Sequence, residues 1–125
     1  MKHVIRTDAA PAAIGPYAQA TEALGLVFTS GQLPIDPATG AFPEGIRAQT
    51  KQSLQNVASI LSAAGTNMNN VLKTTVFLKD MDDFAAMNEV YAAFFAEGRF
   101  PARSAVQVAR LPKDALVEIE AVAAK

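Results

Sequence analysis

Apolar residues recur along this chain with two different periods, and the longer period predicts two helices. From about residue 45 to 64 they are spaced three and four positions apart, which is typical of an amphipathic helix, and Gly65 ends it. A second helix is predicted to follow Asp82 or Asp83, either of which is suited to cap it. The apolar stripe of this second helix comprises Phe84, Met87, Tyr91 and Phe94.

The shorter period, and runs of β-branched residues, predict five strands. They cover residues around 17–21, and then 26–30, 71–78, 104–109 and 117–123, with the first two paired. The resulting order β-β-α-β-α-β-β predicts a single α+β domain over residues 1–125, with two helices on one face of a mixed sheet.

Period-2 alternation also assigns the strand residues to faces of the sheet. In the 71–78 strand, Leu72 shares one face with Thr74, Val76 and Leu78, which leaves Val71 on the other. The face without helices is then predicted to carry Val71, Thr75, Phe77, Ala105 and Val122. Such a face is too apolar to remain in water, so we expect the chain to self-associate through it.

Composition restricts the chemistry that this domain can perform. The sequence has no Cys and a single His, His3, close to the N-terminus. Disulfides, thiolate metal sites and a Cys nucleophile are therefore excluded, and a Ser-His-Asp triad or a multi-histidine zinc site is not expected. Catalysis would depend on carboxylates, Arg, Lys, Tyr, Ser, Thr, backbone groups and water.

Charge and hydropathy exclude further classes of function. The net charge is −1, which does not favour binding of nucleic acid through a broad basic face. The N-terminal residues do not resemble a signal peptide, and the apolar runs are far shorter than the roughly 20 residues of a membrane span, so we expect a cytoplasmic protein. Asp80, Asp82 and Asp83 are better explained by helix capping than by a metal site, and no metal is expected.

One arginine and two glutamates are the strongest candidates for chemistry. Arg103 lies at the entrance of its predicted strand, and Glu118 and Glu120 share one face of a neighbouring strand, so these groups could converge. The guanidinium could hold a substrate carboxylate through two parallel hydrogen bonds, and a carboxylate could hold or activate a water. From spacing alone, the more common outcome is a structural Arg–Glu salt bridge.

Three other residues have both a functional and an ordinary interpretation. Gly31 could present backbone N–H groups to an anion, or simply end a strand. Tyr17 could line a pocket, or be a half-buried core residue. Asn88 lies near the apolar stripe of the second helix, where its amide needs a hydrogen-bond partner.

Five ordered motifs together resemble the RidA family, also called the YjgF family, over essentially the whole chain. They lie at residues 10–17 (APAAIGPY), 29–34 (TSGQLP), 73–78 (KTTVFL), 101–112 (PARS and, later, ARLP) and 117–121 (VEIEA). The resemblance implies a chorismate mutase-like fold and a homotrimer whose sheets form a central barrel, with active sites between subunits. It also implies hydrolysis of reactive 2-imino acids or their enamine tautomers to 2-keto acids and ammonia, with no cofactor.

The resemblance also implies roles for individual residues. Arg103 would bind the substrate carboxylate, helped by the backbone at Gly31 and Ala105, and Glu118 would hold the attacking water. Tyr17, Ser30 and Asn88 would shape the pocket. Many family members carry a Cys at the position of Ala105. Because this chain has an alanine there, a thiol has no part in its activity.

Three alternative functions are compatible with the sequence. The first is a trimer that binds a small carboxylate without turnover, which would need the same Arg103. The second is RNA cleavage or inhibition of translation, against which the dispersed basic residues argue. The third is a holdase-like chaperone, whose exposed apolar surface we expect trimerisation to cover.

Overall fold

A computed structural model describes all residues, 1–125, as one mixed sheet with two helices. The strands are β1 (His3–Ile5), β2 (Ala20–Ala23), β3 (Leu26–Thr29), β4 (Val71–Leu78), β5 (Ala102–Gln107) and β6 (Val117–Ala124), and the helices are α1 (Ile46–Ala63) and α2 (Phe84–Ala92). The strand order is β1-β2-β3-β6-β4-β5. Strands β1 and β5 are therefore the two edges of the sheet. The sheet is mixed, because the β4–β5 pair is parallel and the other pairs are antiparallel.

The helices cover one face of this sheet, as the apolar periods predict. Leu54, Val57 and Leu61 of α1 are fully buried, and they belong to one core cluster with Val76 of β4 and Ile119 of β6. This cluster contains 18 buried residues, including Met87 and Tyr91 of α2, so both helices close the same hydrophobic core. No helix is both long enough and apolar enough to cross a lipid bilayer.

Strand bounds differ from the prediction by more than one residue at three places. The short edge strand β1 was not predicted, because three residues are too few to show an alternation. Residues 17–19 are not a strand, and Ser30, the residue that follows β3, donates one hydrogen bond each to the Gln19 and Ala18 carbonyls. Strand β5 covers residues 102–107 rather than 104–109, because its ladder follows β4 and ends where Leu78 does.

A bulge at the start of β4 reverses the predicted faces of its first two residues. The register against β6 shifts between Val71 and Lys73, so Val71 is buried and Leu72 is 50% exposed. One extra residue in a strand moves the residues before it to the other face. From Thr74 onward the predicted alternation is confirmed, since Thr74, Val76 and Leu78 are all buried.

The predicted cap of the second helix is confirmed in position but not in its hydrogen bond. Asp83 occupies the N-cap position of α2, but its side chain makes no capping hydrogen bond. Instead, the Asp80 carboxylate accepts the Asp82 backbone N–H at 2.8 Å and caps the short 3-10 turn before α2. The cluster of aspartates therefore organises the entry into the helix from one turn earlier.

No layer of the chain covers the other face of the sheet. By register, its apolar members include Phe28, Phe77, Val106 and Val122, of which Phe28 and Val106 are 46% and 45% exposed. Three charged strand residues, Lys73, Glu118 and Glu120, point to the same face. The apolar open face on which the prediction of self-association rests is thus present, although without Val71, and also without Ala105, which pairs with buried Val76.

Candidate active site

Arg103 lies on the helix side of the sheet, between edge strand β5 and helix α2. It is aligned with buried Thr74 of β4, which directs its side chain toward α2. One guanidinium nitrogen donates a hydrogen bond to the Asn88 Oδ1 atom at 2.6 Å. The guanidinium also stacks over the rings of Tyr91 and Phe84, with its central carbon 4.8 and 5.4 Å from their centroids. Such cation–π contacts fix the plane of the guanidinium.

The groups around Arg103 are neutral. Burial raises the pKa of the Tyr91 hydroxyl, which the hydrogen bond with Thr74 and the charge of Arg103 only partly offset. The hydroxyl is therefore protonated at neutral pH and shares a 2.6 Å hydrogen bond with the Thr74 hydroxyl. The chain has three ion pairs, Arg47–Glu89, Lys79–Asp114 and Lys125–Glu22, and Arg103 takes part in none of them.

A cavity of about 370 Å³ opens beside the guanidinium. Its lining comprises Asn88, Tyr91, Ala92, Phe100, Pro101 and Arg103. The cavity thus combines apolar walls with one cation that has no counter-ion in its own chain. A planar guanidinium in such a place is suited to a small carboxylate, which it can bind through two parallel hydrogen bonds.

Glu118 lies on the opposite face of the sheet, against Gly31. Its register partner on β4 is Phe77, a residue of the open face. A Cβ atom at position 31 would overlap the Glu118 carboxylate, so Gly31 is needed here for space. Burial raises the pKa of Glu118, and the nearby charge of Glu120 raises it further.

Backbone hydrogen bonds fix the approach of Gly31 to Glu118. Gln32 and Ile119, the residues that follow each of them, exchange two backbone bonds of 2.7 and 3.2 Å. Ser30 is tied on the other side, where its hydroxyl donates to the Ala18 carbonyl at 2.6 Å. Gly31 therefore forms part of a fixed floor under the carboxylate and does not act as a strand-ending turn with positive φ.

Tyr17 and Ala105 occupy separate positions. Tyr17 is 53% exposed and lines a different cavity, of about 380 Å³, against the N-terminal segment. Its hydroxyl accepts the Ile14 backbone N–H at 3.4 Å. Ala105 lies on edge strand β5. The backbone N–H of Val108, three residues further on, donates to the Leu78 carbonyl of β4. Because backbone groups along a strand point alternately to either side, those of Ala105 point to the open edge of the sheet.

The structure therefore divides the predicted site residues into groups. Arg103 and Asn88 lie together, Glu118 lies with Gly31 and Ser30, and the sheet separates the two groups. Within one chain Arg103 and Glu118 do not converge and form no salt bridge, because Arg103 aligns with core residue Thr74 and Glu118 with open-face residue Phe77.

The spacing of apolar residues places Tyr91 and Phe84 only in the apolar stripe of α2, whereas in the structure both rings support Arg103. A signal for this role was present in the sequence. Phe84, Asn88 and Tyr91 are spaced four and three residues apart, which places an amide between two aromatic rings on one side of a helix. That combination is suited to hold a guanidinium.

Comparison with known proteins gives consistent results. A profile of the family described as Endoribonuclease L-PSP matches residues 7–125. The chain is 54% identical to the 2-iminobutanoate/2-iminopropanoate deaminase of Salmonella typhimurium, with 100% of this chain and 99% of that protein aligned. Among solved structures, E. coli TdcF with bound serine has a TM-score of 0.94 at 50% identity, and covers 98% of each chain. The E. coli YjgF gene product has a TM-score of 0.94 at 52% identity, also over 98% of each chain.

Proposed function

The chain belongs to the family described as Endoribonuclease L-PSP, the RidA (YjgF) family, and we propose that it deaminates 2-imino acids by hydrolysis. The substrates are 2-aminoacrylate, 2-iminopropanoate and 2-iminobutanoate, which dehydratases dependent on pyridoxal phosphate release. The products are the corresponding 2-keto acids and ammonia. We place this activity in the cytoplasm, together with those dehydratases, and assign it no cofactor.

The observation that carries this proposal is the guanidinium of Arg103, which has no ion-pair partner and lies beside a small cavity. A 2-imino acid is a small molecule with one carboxylate, and Arg103 is held by neutral partners that leave its charge available for such a group. The solved TdcF relative contains serine, a small molecule with the same α-carboxylate. Backbone groups of Gly31 and Ala105 complete the carboxylate site in this proposal, and Tyr17, Ser30 and Asn88 shape its walls.

The chemical step needs orientation more than a strong nucleophile. The carbon of a protonated C=N bond is already electrophilic, so a positioned water can add to it directly. Glu118 accepts a proton from that water as the C–O bond forms. Glu118 then gives this proton to the nitrogen of the tetrahedral adduct. As the C–N bond breaks, Glu118 takes the proton of the adduct hydroxyl and the C=O bond forms, so that ammonia and the 2-keto acid are released. The raised pKa of Glu118 brings this carboxylate closer to the range in which it can both accept and return a proton.

A single chain cannot bring Arg103 and Glu118 to one substrate, and this supports an active site shared between subunits. We propose a homotrimer with a chorismate mutase-like fold, in which the open sheet faces form a central barrel. Such an assembly covers exposed Phe28 and Val106. It also allows the Arg103 cavity of one subunit to lie over the Gly31–Glu118 face of its neighbour.

The activity is tested by coupling the purified protein to an amino-acid oxidase, which releases 2-iminopropanoate from alanine, and by following the imine with a semicarbazide trap. We expect the protein to lower the amount of trapped imine and to accelerate the appearance of 2-keto acid and ammonia. If the imine disappears at the uncatalysed rate although the protein binds the 2-keto acid, the protein is instead a carboxylate-binding trimer without turnover.

The shared site is tested by mixing two variants, Arg103→Ala and Glu118→Ala, after reversible dissociation of the trimers. If each site takes Arg103 from one subunit and Glu118 from another, random reassembly of equal amounts restores about a quarter of the sites. We expect this fraction of the wild-type rate to return upon mixing. A mixture as inactive as its components, at a mass that confirms mixed trimers, would place the whole site within one subunit.

The family description makes RNA cleavage the second candidate. The net charge of −1 does not favour binding of the many phosphates of RNA, whereas one guanidinium beside a small cavity suits a single carboxylate. RNA incubated with wild type and with Arg103→Ala separates the two activities. Cleavage that persists in the variant would indicate a second site unrelated to Arg103.

A further inference from the structure

A polar stripe on α1 contacts both segments that carry Gly31 and Glu118. Gln49 and Asn56 lie seven residues apart, which places them two turns apart on one side of the helix. Both are buried, at 7% and 1% exposure, which is unusual for amide side chains. A buried amide must be fully hydrogen-bonded, so its partners show what it holds.

Asn56 holds the segment that follows Gly31. Its amide nitrogen donates to the Leu33 and Ile35 carbonyls at 3.1 and 2.9 Å, which uses both of its hydrogens. The Asn56 Oδ1 atom accepts a hydrogen bond from Gln52 at 3.0 Å. With all its groups paired, Asn56 fixes the chain from two to four residues beyond Gly31.

Gln49 holds the segment that precedes Glu118. Its Oε1 atom accepts the Leu116 backbone N–H at 2.9 Å, and its amide nitrogen donates to the Pro43 carbonyl at 3.1 Å. Leu116 lies two residues before Glu118, at the point where the chain enters β6. One helix face thus fixes a segment of each of the two chain stretches that meet at Gly31 and Glu118.

From this arrangement we infer that Gln49 and Asn56 are positioning residues, which set the orientation of the Glu118 carboxylate against Gly31 from beneath the sheet. This role rests on the proposed function only in its kinetic consequence. Neither amide contacts Arg103 or its cavity, so the two halves of the site are positioned independently. Loss of either amide should disturb the half of the site formed by Gly31 and Glu118 and leave Arg103, the principal carboxylate ligand, in place.

The inference is tested with Asn56→Leu and Gln49→Met, which keep the side-chain volume but remove the hydrogen bonds. We expect each to lower kcat about 10- to 100-fold, the scale of a small misplacement of a reacting group, with KM changed less than about threefold. If Asn56→Leu does not fold, Gln49→Met decides, because it removes only one bond to each of its segments.

A second readout does not depend on activity. The Glu118 carboxylate is followed by ¹³C NMR as pH is varied. Three charged strand residues share its face, Lys73, Glu120 and Glu118 itself, and neither substitution changes them. We expect both variants to admit water beside Glu118 and to move its pKa down toward the usual range for a glutamate. If wild type lacks deaminase activity, the proposed function fails, while this titration still tests the positioning role.

Thr66→Val is the matched control. The Thr66 hydroxyl is also a buried hydrogen-bond donor to the chain of β6, but it bonds the Ala124 carbonyl at the far end of the strand, at 2.6 Å. Thr66→Val should lower Tm about as much as the two amide substitutions do. Its kcat should stay within about twofold of wild type, and the titration of Glu118 should not change. Equal losses of kcat in Thr66→Val, or an unchanged Glu118 titration in both amide variants, would overturn the positioning role.

Discussion

Arg103→Ala is expected to abolish turnover of 2-imino acids. Two charge-assisted hydrogen bonds to the substrate carboxylate contribute about 1.5–3 kcal/mol each, and loss of both lowers kcat/KM by about 10²–10⁴-fold. Arg103→Lys is expected to lose most of the rate as well, although it keeps the charge. A lysine cannot form the bidentate fork, and it cannot make the planar stack over Tyr91 that orients Arg103.

Arg47→Ala is the control for this substitution. Arg47 also contacts α2, through an exposed ion pair with Glu89 at 2.7 Å, but on a side chain that does not line the Arg103 cavity. Exposed ion pairs of this kind contribute about 0–1 kcal/mol, so Arg47→Ala should keep near-normal kcat/KM. Imine hydrolysis by Arg103→Ala at a rate close to that of Arg47→Ala would refute the role of Arg103.

The sequence was sufficient for the layers of the fold but not for the faces of its strands at every position. Leu54, Val57 and Leu61 repeat with a helical period strong enough to define α1 and its buried side. Strand alternation, however, assigns faces only while it is unbroken. The bulge at Val71 depends on the hydrogen bonding of β4 to β6, and nothing in the local residues indicates it.

The same limit explains why the site was predicted as a set of residues but not as a geometry. Alternation places Arg103 and Ala105 on one face of their strand and Glu118 and Glu120 on one face of theirs. It does not say whether these two faces are the same, since that depends on the register of each strand with β4 between them. The close approach of Gly31 to Glu118 joins two segments that are far apart in sequence, so the local sequence pattern cannot predict it.

Glu118→Gln is expected to lower kcat by about 10²–10⁴-fold, the usual contribution of a positioned acid–base group. The same substitution should increase the stability of the folded protein at neutral pH. Burial and Glu120 raise the pKa of Glu118 in the folded protein, so ionisation of this side chain costs folding free energy as pH rises through that range. The uncharged glutamine avoids this cost, and the variant should have a higher Tm than wild type at neutral pH and no advantage in acid.

The pH profile provides the corresponding test in the wild type. If the carboxylate form of Glu118 accepts the proton of water, kcat falls as pH decreases through its raised pKa, so the acidic limb lies above the usual range of a glutamate. Glu120→Gln removes the second cause of that shift without touching Gly31, and should move the limb toward lower pH. A limb that stays in place in Glu120→Gln, together with an unchanged rate in Glu118→Gln, would mean that another group holds the water. The open sheet face would then serve assembly alone.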